Sequence, residues 1–555
     1  MFALMPNFFE RLDAVAGIDG GRAVVWLERV AFIFLLLTFA SAPHSIAATQ
    51  TAWIIGMLAW IVRLFLKPRV RFRLTWLDAA LWGLFVWSVI SSLVSYEPAI
   101  SLDKLRGVAI FLIFYFAFYN IRTRRAAALA AFVLVGSCMI NVVWMPIERL
   151  IGRGVEVHGL APNGALARAR LLDGDTLLEI DGRKVTTPDD VLAAIEKADV
   201  SHIKFYRPDF EFTVEAKREN LFPGTTALER LGAAGWKKSH NWRSKGFYGH
   251  YTTYAEVLQL IGSLAFGLLI ALFGRGRREV SDTSKASGSN GSVENAGLPP
   301  WPRRPAFGWR FSLLALIVAG IAFALLLTVT RAPQLAFAIS CGLIVLFGLG
   351  KKWFLTALLI FIPVAAGGLY FLQQSRQVDF FDRQDESTRY RQMMWRDGVR
   401  LWTESPRHLV FGIGMDSIKE HWREWGLFDS GRLPMGHFHS TPLQLLVERG
   451  FPALLLWLLV LLFYGRELLA GRRRIQSSIG EAGPGGDRAP PWISLGIVLG
   501  CAGGAAGFFI SGLVHYNLGD QEVAMAFFLL MGLGLAVCRT WSGKRLGGDR
   551  DTVAG

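Results

Sequence analysis

Residues 309 to 330 have the sequence WRFSLLALIVAGIAFALLLTVT, an apolar run with a single charged residue near its start. A run of about twenty apolar residues is long enough for an α-helix to cross the roughly 30 Å hydrocarbon core of a membrane. Similar runs recur along the chain and predict spans near 29 to 48, 51 to 66, 75 to 95, 104 to 121, 126 to 146, 252 to 273, 309 to 330, 333 to 350, 353 to 373, 441 to 464, 492 to 514 and 521 to 539. We therefore predict an all-α polytopic membrane protein with about twelve transmembrane helices.

The composition agrees with a membrane protein. Of the 555 residues, 52% are hydrophobic and 19% are charged, and 59 Lys and Arg against 44 Asp and Glu give a net charge of +15. A soluble protein of this length would carry about a quarter of charged residues, and a disordered chain would carry few apolar ones, so both classes are excluded. A basic balance can indicate nucleic-acid binding, but in so apolar a chain it is typical of loop cations that orient membrane helices. The four cysteines lie in apolar runs and offer no disulfide framework or metal-binding pair.

The loop cations predict the orientation of the twelve spans. Basic clusters lie at 67–73, 122–125, 275–278 with 303–304, 351–352, 472–474 and 544–545, all in loops that share the side of the N-terminus. Because cytoplasmic loops are enriched in Lys and Arg, both termini are predicted to be cytoplasmic. The stretches 281–300 and 480–491, rich in small and polar residues, are predicted to be flexible cytoplasmic linkers.

These assignments divide the chain into segments on the two sides of the membrane. They are transmembrane helices 1–5 (1–149), a polar insert (150–220), an outer loop (221–251), helices 6–9 with a cytoplasmic linker at 275–305 (252–373), a large outer loop (374–440), helices 10–12 (441–540) and a cytoplasmic tail (541–555). All ten histidines lie on or beside the outer face. Since histidine titrates near neutral pH, proton chemistry is expected there, although the two long polar segments on that face account for much of the bias.

The polar insert has the pattern of a small α+β domain. It predicts a strand at Thr176–Ile180, a tight turn at Asp181-Gly182 and a helix at Asp190–Ala198. The run from Leu171 to Ile195 resembles a PDZ domain, a family that captures peptide tails by adding a strand to a sheet edge. The resemblance makes Gly159 and Leu160 the candidate peptide-binding residues. A glycine-rich carboxylate-binding loop is not evident and the insert is short, so a docking or spacer domain without a ligand is the alternative.

Two other enzyme classes are excluded by missing motifs. A PDZ-like insert in a membrane protein suggests an intramembrane metalloprotease, but none of the ten histidines is followed by Glu, as a His-Glu-x-x-His zinc site requires. The chain also lacks the Gly-x-x-x-x-Gly-Lys-Ser/Thr loop of P-loop ATPases. A donor substrate must therefore carry its own activation.

Arginines on the outer face suggest what that donor is. Arg106, Arg243, Arg331 and Arg389 lie outside although the positive-inside rule disfavours them there, which calls for a functional reason. Guanidinium groups suit diphosphate oxygens, and a nearby histidine suits removal of a proton from a hydroxyl. The combination indicates glycosyl transfer from a lipid diphosphate.

The residues of the second outer segment and its neighbours resemble one family. The pattern His-Asn/Ser-x-x-Leu-x-x-x-x-x-x-Gly fits His439-Ser440-Thr441-Pro442-Leu443 through Gly450. Weaker family elements match Thr328 to Ala332, Arg389 through Trp395, Gly412 to Gly414, and the acidic turn with Asn517, Asp520 and Glu522. In this order, and outside the insert, the chain resembles the O-antigen ligase/polymerase (Wzy_C) superfamily of bacterial polytopic membrane enzymes.

The resemblance implies a fold, a reaction and a site. The fold would be that of a GT-C-like glycosyltransferase in the bacterial inner membrane. The reaction would be a metal- and cofactor-independent transfer of a glycan from undecaprenyl diphosphate to an acceptor hydroxyl at the periplasmic face, with the lipid A core as acceptor. His439, with His437 as the alternative, would be the base or acceptor-orienting residue. The diphosphate would be held by Arg331, Arg389, Arg243 and Arg106.

Other functions remain open from the sequence. The same scaffold could polymerise repeat units or glycosylate proteins, and a peptide-binding insert would favour a protein acceptor or a recruited protein partner. Outside the enzyme class, the chain could be a transporter or an envelope scaffold with a PDZ-like module. A transporter is expected to place paired charges at mid-membrane depth, whereas Arg63, Glu256 and Glu448 all lie near predicted span ends. A pure scaffold has no need for clustered outer arginines and histidines.

Overall fold

The chain forms two compact units in a computed structural model. The structure describes residues 5–70, 72, 74–207, 210–240, 242–287, 305–359, 362, 386–433, 435–478 and 490–542. The larger unit comprises Met1–Met139, Phe247–Leu326 and Thr330–Gly555, and the smaller unit comprises Ile140–Gly246 with Leu327–Val329.

Helices make up most of the described chain. In chain order they are α1 (Met5–Ala16), α2 (Arg22–Ser41), α3 (Ile46–Leu64), α4 (Trp76–Leu93), α5 (Pro98–Asp103), α6 (Leu105–Val108), α7 (Leu112–Asn120), α8 (Arg124–Ile151), α9 (Ala165–Arg168), α10 (Pro188–Lys197), α11 (Ala227–Leu231), α12 (Tyr251–Ser287), α13 (Pro305–Leu327), α14 (Arg331–Leu349), α15 (Glu386–Thr403), α16 (Pro406–Phe411), α17 (Ile418–His421), α18 (Leu427–Gly431), α19 (Thr441–Ser478), α20 (Pro491–Gly512) and α21 (Gln521–Thr540).

Ten helices among the described residues are long and apolar enough to cross a membrane. They are Arg22–Ser41, Ile46–Leu64, Trp76–Leu93, Arg124–Ile151, Tyr251–Gly276, Gly308–Leu327, Arg331–Leu349, Thr441–Ser478, Pro491–Gly512 and Gln521–Thr540. Each overlaps one predicted span, so the multi-pass helical architecture is confirmed. The total of twelve stays a prediction, because the predicted span 353–373 falls largely outside the described residues.

Two predicted spans differ from the structure. Helix α2, which corresponds to the first predicted span, ends at Ser41 rather than near 48, because Pro43 follows and a new helix begins at Ile46. The predicted span 104–121 is wrong as a single helix: α5, α6, a 3₁₀ turn at Ala109–Phe111 and α7 replace it. Gly107 weakens the helix inside this region, and Lys104 and Arg106 line a cavity instead of facing lipid. Apolar composition alone did not reveal that break.

Helix α19, the longest of the described helices, contains a break. Gly450 has φ +74 and ψ 179 inside it, and Pro452 follows two residues later. A Cβ at position 450 would lie 2.0 Å from the carbonyl oxygen of Val410, so only glycine fits. The segment Thr441–Arg449 is therefore a separate short helix that leads into the long apolar one.

The smaller unit contains an antiparallel sheet with helices packed on it. Its strands are β1 (Arg153–Leu160), β2 (Thr176–Ile180), β3 (Arg183–Lys184), β4 (Val200–Arg207), β5 (Phe210–Lys217) and β6 (Ala233–Ser239), in the order β5-β4-β2-β1-β6, with β3 beside β2. Alternating residues such as Val155 and Val157 fill its core together with Leu177, Ile195 and Ile203. The predicted strand at Thr176–Ile180 is present, and the predicted helix lies at Pro188–Lys197.

The expected extent of the insert needs correction. The folded insert extends past residue 220, because β6 pairs with β1 through Leu160↔Ala233 and Val157↔Trp236. Gly159 and Leu160 lie at the end of β1, which has β2 on one side and β6 on the other. Leu160 is paired with β6, whereas the pairing of β1 with β2 covers Val155 and Glu156, so peptide binding by Gly159 and Leu160 stays a prediction. The likeness to PDZ domains stays a prediction.

Candidate active site

The two predicted histidines come together just before α19. The N–H of His439 donates to Nδ1 of His437 at 3.2 Å, and the ring centroids are 4.1 Å apart. Phe438 between them is fully buried, with its N–H bonded to Oε1 of Gln444 at 2.8 Å and its carbonyl accepting from Nε1 of Trp395 at 3.1 Å. Because the residue between them is held on both sides, the two imidazoles are fixed as a pair.

Arg391, one turn before Trp395 on α15, adds positive charge to this pair. Burial, and then electrostatic repulsion from His437, Arg391 and His250, together lower the pKa of His439 to about 3. Arg391-Gln392-Met393-Met394-Trp395 fits the family spacing Arg-x-x-x-Trp directly, whereas the prediction placed Arg389 in this role. Arg389 is exposed on the same helix.

The loop before the last span holds the start of the short helix. The carbonyl oxygen of His515 accepts the N–H of Thr441 at 3.0 Å. The Thr441 hydroxyl lies 3.1 Å from the same carbonyl oxygen and 2.9 Å from Oδ1 of Asn517. The pKa of His515 is lowered to about 3 by burial and then by Arg391, His439, His250 and His437, which places its ring in the same electrostatic cluster. The one sequence signal for His515 was its place on the outer face.

A buried ion pair lies at the end of the short helix. Glu448 and Arg449 are 2% and 4% exposed. Oε1 of Glu448 accepts the N–H of Asp416 at 3.1 Å and Nε2 of Gln444 at 2.9 Å, while Oε2 lies 3.4 Å from the hydroxyl of Tyr516. Since a buried carboxylate is costly unless it is bonded, these contacts join the large outer loop, the short helix and the 513–520 loop at one point.

The Gly-Ile-Gly element packs against the same helix end. The break at Gly450 and the missing N–H of Pro452 leave carbonyl groups of Val447 and Glu448 without their usual helical donors. The N–H of Ile413 and the N–H of Gly414 bond to them, each at 2.9 Å. The N–H groups of Ile413 and Gly414 thus complete the broken helix, which joins this element to the His439–Gly450 segment.

A cavity of about 260 Å³ opens beside His437. Residues from several segments of the larger unit line it, and its ionisable members are Lys104, Arg106, Asp416, Lys419, His437, Glu448, Arg449 and Tyr516. Four cations against two carboxylates leave a balance of +2. Nζ of Lys104 and Nζ of Lys419 lie 2.7 and 2.9 Å from Oδ2 of Asp416. Although burial opposes it, these lysines hold the pKa of Asp416 below its usual range.

The four arginines predicted to bind a diphosphate are not gathered at this cavity. Arg106 lines it, exposed and paired with Asp103 at 2.9 Å. Arg331 is exposed at the first position of α14, Arg389 is exposed on α15, and Arg243 belongs to the smaller unit. The prediction missed Lys104, Lys419 and Arg449. The charges of Lys104 and Arg106 at the start of an apolar run were the available signal.

One family comparison bears on this arrangement. Residues 311–458 match the family model described as O-antigen ligase (Wzy_C). The matched segment contains Arg391, both paired histidines, the Gly-Ile-Gly element and the Glu448–Arg449 pair. No curated protein matches the chain. With the multiple apolar helices, the match supports a multi-pass bacterial membrane protein with an O-antigen ligase- or polymerase-type function.

Proposed function

We propose that this chain is a membrane glycosyltransferase that moves a glycan from undecaprenyl diphosphate to an acceptor hydroxyl at the periplasmic face of the bacterial inner membrane. Its most specific form is ligation of O-antigen to the lipid A core, without a metal or another cofactor. The observation that carries the proposal is the cationic cavity whose wall includes His437, the ring partner of His439. The O-antigen ligase match over the same segment supports it.

The diphosphate of the donor fits the cavity by charge. A lipid diphosphate linked to a sugar carries two negative charges near pH 7, which complements the balance of +2 on the cavity wall. Lys104 and Lys419 already share Asp416, so two ammonium groups are oriented towards one point before a ligand arrives. Preorganised cations of this kind also stabilise charge that develops on a leaving diphosphate.

His439 is the residue proposed to act on the acceptor. Its lowered pKa keeps the imidazole neutral at physiological pH, as a proton acceptor must be. The acceptor oxygen would form a bond to the anomeric carbon as the bond from that carbon to the phosphate oxygen breaks. The acceptor proton would pass to His439, and the electron pair would leave with the diphosphate. Negative charge of the bound diphosphate near His439 would raise the pKa of His439 from the low value that burial and the neighbouring cations set.

The remaining residues have supporting roles in this proposal. His437 would orient His439 through the 3.2 Å contact or share its proton. Arg391 would stabilise the departing charge, since it acts electrostatically on His439. Arg331, Arg389 and Arg243 remain proposed contacts of the donor or of its glycan, with Arg106 on the cavity wall.

A reconstituted reaction tests the proposal. Purified protein in lipid nanodiscs would receive undecaprenyl-diphosphate-linked glycan and one of three acceptors: lipid A-core, a second donor molecule or an unfolded protein. Release of undecaprenyl diphosphate and the mass of the product would be measured. We expect transfer to lipid A-core and a loss of about 10²- to 10⁴-fold in His439→Ala, the range of general base catalysis.

The acceptor panel also separates the alternatives. Elongation of the second donor would indicate a polysaccharide polymerase, and a labelled protein would indicate a protein O-oligosaccharyltransferase. If folded protein consumed no donor with any of the acceptors, the proposal of an enzyme would be contradicted. A scaffold or a transporter would then remain as the function. Full transfer by His439→Ala would remove His439 from the mechanism.

A further inference from the structure

An apolar groove lies between three helices of the larger unit, away from the residues described above. Its volume is about 400 Å³, and its walls come from α14, α19 and α20. Small residues line it on two helices, Ala502, Ala505 and Ala506 on α20 and Gly465 on α19, and a Cβ at Gly465 would meet no atom within 4 Å. Because these side chains are too short to fill the space between the helices, a channel is left open along α19.

The groove opens towards the membrane. Leu458 and Leu462, which line it, are 40% and 62% exposed, as expected for side chains that face lipid. Its lining on α19 runs from Leu458 to Arg472, which corresponds to roughly 21 Å of helix. This length equals about half of a membrane with its headgroup regions, so the groove suits one lipid chain from one leaflet.

A single charged side chain lies at one end of this apolar lining. Arg472 is half-buried there, with its guanidinium carbon 5.7 Å from the ring centroid of Phe347. Its Nε is buried and has no hydrogen-bond partner among the residues that the structure describes. A buried donor without a partner is costly, which points to an acceptor supplied by a ligand.

The surroundings of that end are basic. Arg473 and Arg474 follow Arg472 on α19, and Lys351 and Lys352 follow directly after α14, whose Phe347 contacts Arg472. Among the described residues near them in sequence, Glu467 is the carboxylate in reach, and it lies 3.9 Å from Arg474. Arg472 on the lining, with four further cations close to it or to Phe347 in sequence, makes this end of the groove suited to the phosphate of a lipid.

We propose that this groove binds an anionic phospholipid, with one acyl chain along α19 and its phosphate on the guanidinium of Arg472. The basic cluster of Arg472 to Arg474 is predicted to be cytoplasmic, so the lipid belongs to that leaflet. The polyprenyl donor does not suit this place. About thirty residues of α19 separate Arg472 from Thr441 at the candidate active site, which puts the two headgroup positions near opposite faces of the membrane. The inference is therefore independent of the proposed transfer reaction.

Lipid binding by delipidated protein tests this inference. Native mass spectrometry would count bound lipid as phosphatidylglycerol or phosphatidylcholine of identical acyl composition is added to purified full-length protein. We expect a preference for phosphatidylglycerol that falls about fivefold in Arg472→Gln, the effect of losing one cation beside an anionic lipid. Ala506→Phe, which fills the groove, should lower the binding of both lipids to this site.

Matched variants distinguish the groove from the general surface charge. Arg473→Gln removes the same charge from the next residue, which is exposed and does not line the groove, and should change the preference by less than about twofold. Leu316→Phe is the matched control for Ala506→Phe, because it adds a ring at an exposed position on another helix, outside the groove. An equal loss of the preference for phosphatidylglycerol in Arg472→Gln and Arg473→Gln would overturn the proposed site. Unchanged phospholipid binding in both Arg472→Gln and Ala506→Phe would overturn it as well. Displacement of the bound phospholipid by glycan-free undecaprenyl diphosphate at equal concentration would assign the groove to the donor tail and also overturn it.

Discussion

The N–H of Gly414 donates a 2.9 Å hydrogen bond to the carbonyl oxygen of Glu448. This bond exists because α19 breaks at Gly450 and leaves that carbonyl free. Through it, the Gly-Ile-Gly element and the helix that follows His439 become one structure. The carboxylate of Glu448 then reaches the wall of the cationic cavity. The geometry of the histidine pair and that of the cavity therefore depend on the same contact between the Gly-Ile-Gly element and the end of the short helix.

Replacement of Gly414 by alanine tests this contact. A Cβ at this position would lie 1.7 Å from Oγ of Ser95, and its φ of +98 disfavours any other residue. Gly414→Ala should lower the free energy of unfolding by roughly 1–3 kcal/mol or more, measured by thermal unfolding in detergent. Gly136→Ala is the control, because no atom lies within 4 Å of its added methyl group. Equal unfolding temperatures for the two variants would contradict the packing described.

The buried Glu448–Arg449 pair makes a second prediction. Glu448→Ala removes the acceptor of Asp416, Gln444 and Tyr516 and leaves Arg449 buried without its counter-charge. Breaking a buried pair from one side costs roughly 3–5 kcal/mol, whereas replacing both partners costs much less. The double variant Glu448→Ala with Arg449→Met should therefore lose less stability than the sum of the losses in Glu448→Ala and Arg449→Met. A double-mutant cycle of unfolding temperatures measures this, and additive losses would show that the two charges do not interact.

The cavity makes a prediction about donor binding. Lys419→Gln should raise KM for the lipid-linked donor by about tenfold with a smaller change in kcat, because the ammonium group is proposed to bind the diphosphate in the ground state as well as later. Added salt should raise KM of the wild-type protein as well. Lys237→Gln, at an exposed strand position of the smaller unit, is the charge-matched control. A fall in kcat alone would argue against ground-state binding by Lys419.

The sequence predicted the multi-pass helical architecture well, whereas it did not predict which cations line the cavity. Continuous apolar runs report helices that cross a membrane, and the motif from His439 to Gly450 marks where one such helix begins without showing its break at Gly450. Neither pattern shows that a predicted span at 104–121 breaks and turns Lys104 towards a cavity. Lys419 lies in a polar loop where any cation is unremarkable in sequence. Their convergence on Asp416 depends on contacts between segments more than three hundred residues apart, which periodicity cannot encode.

The pH dependence of stability tests the environment of His439. Its pKa is about 3 in the folded protein and near 6.5 when unfolded, so the unfolded state binds the extra proton between these values. Stability contributed by this group is complete above about pH 6.5 and is lost as the pH falls towards 3. His439→Gln should therefore lose less stability than the wild type between pH 7 and pH 4, measured by thermal unfolding. His202→Gln, on an exposed strand position of the smaller unit, should behave like the wild type. Parallel pH curves for His439→Gln and the wild type would show that the imidazole is solvated.

Two arginines of α15 offer a test of which residue serves the histidine pair. Arg391 helps to lower the pKa of His439, whereas Arg389, two residues away, is exposed. Arg391→Gln should lower kcat by about 10- to 100-fold, because a cation that stabilises a departing diphosphate contributes mainly in the transition state. It should also raise the pKa of His439, which a shift in the acidic limb of the pH–rate profile would report. Arg389→Gln removes the same charge from the same helix and should cause a smaller loss without that shift. If Arg389→Gln instead caused the larger loss and moved the profile, α15 would present its other face to the reaction, and the family motif would begin at Arg389.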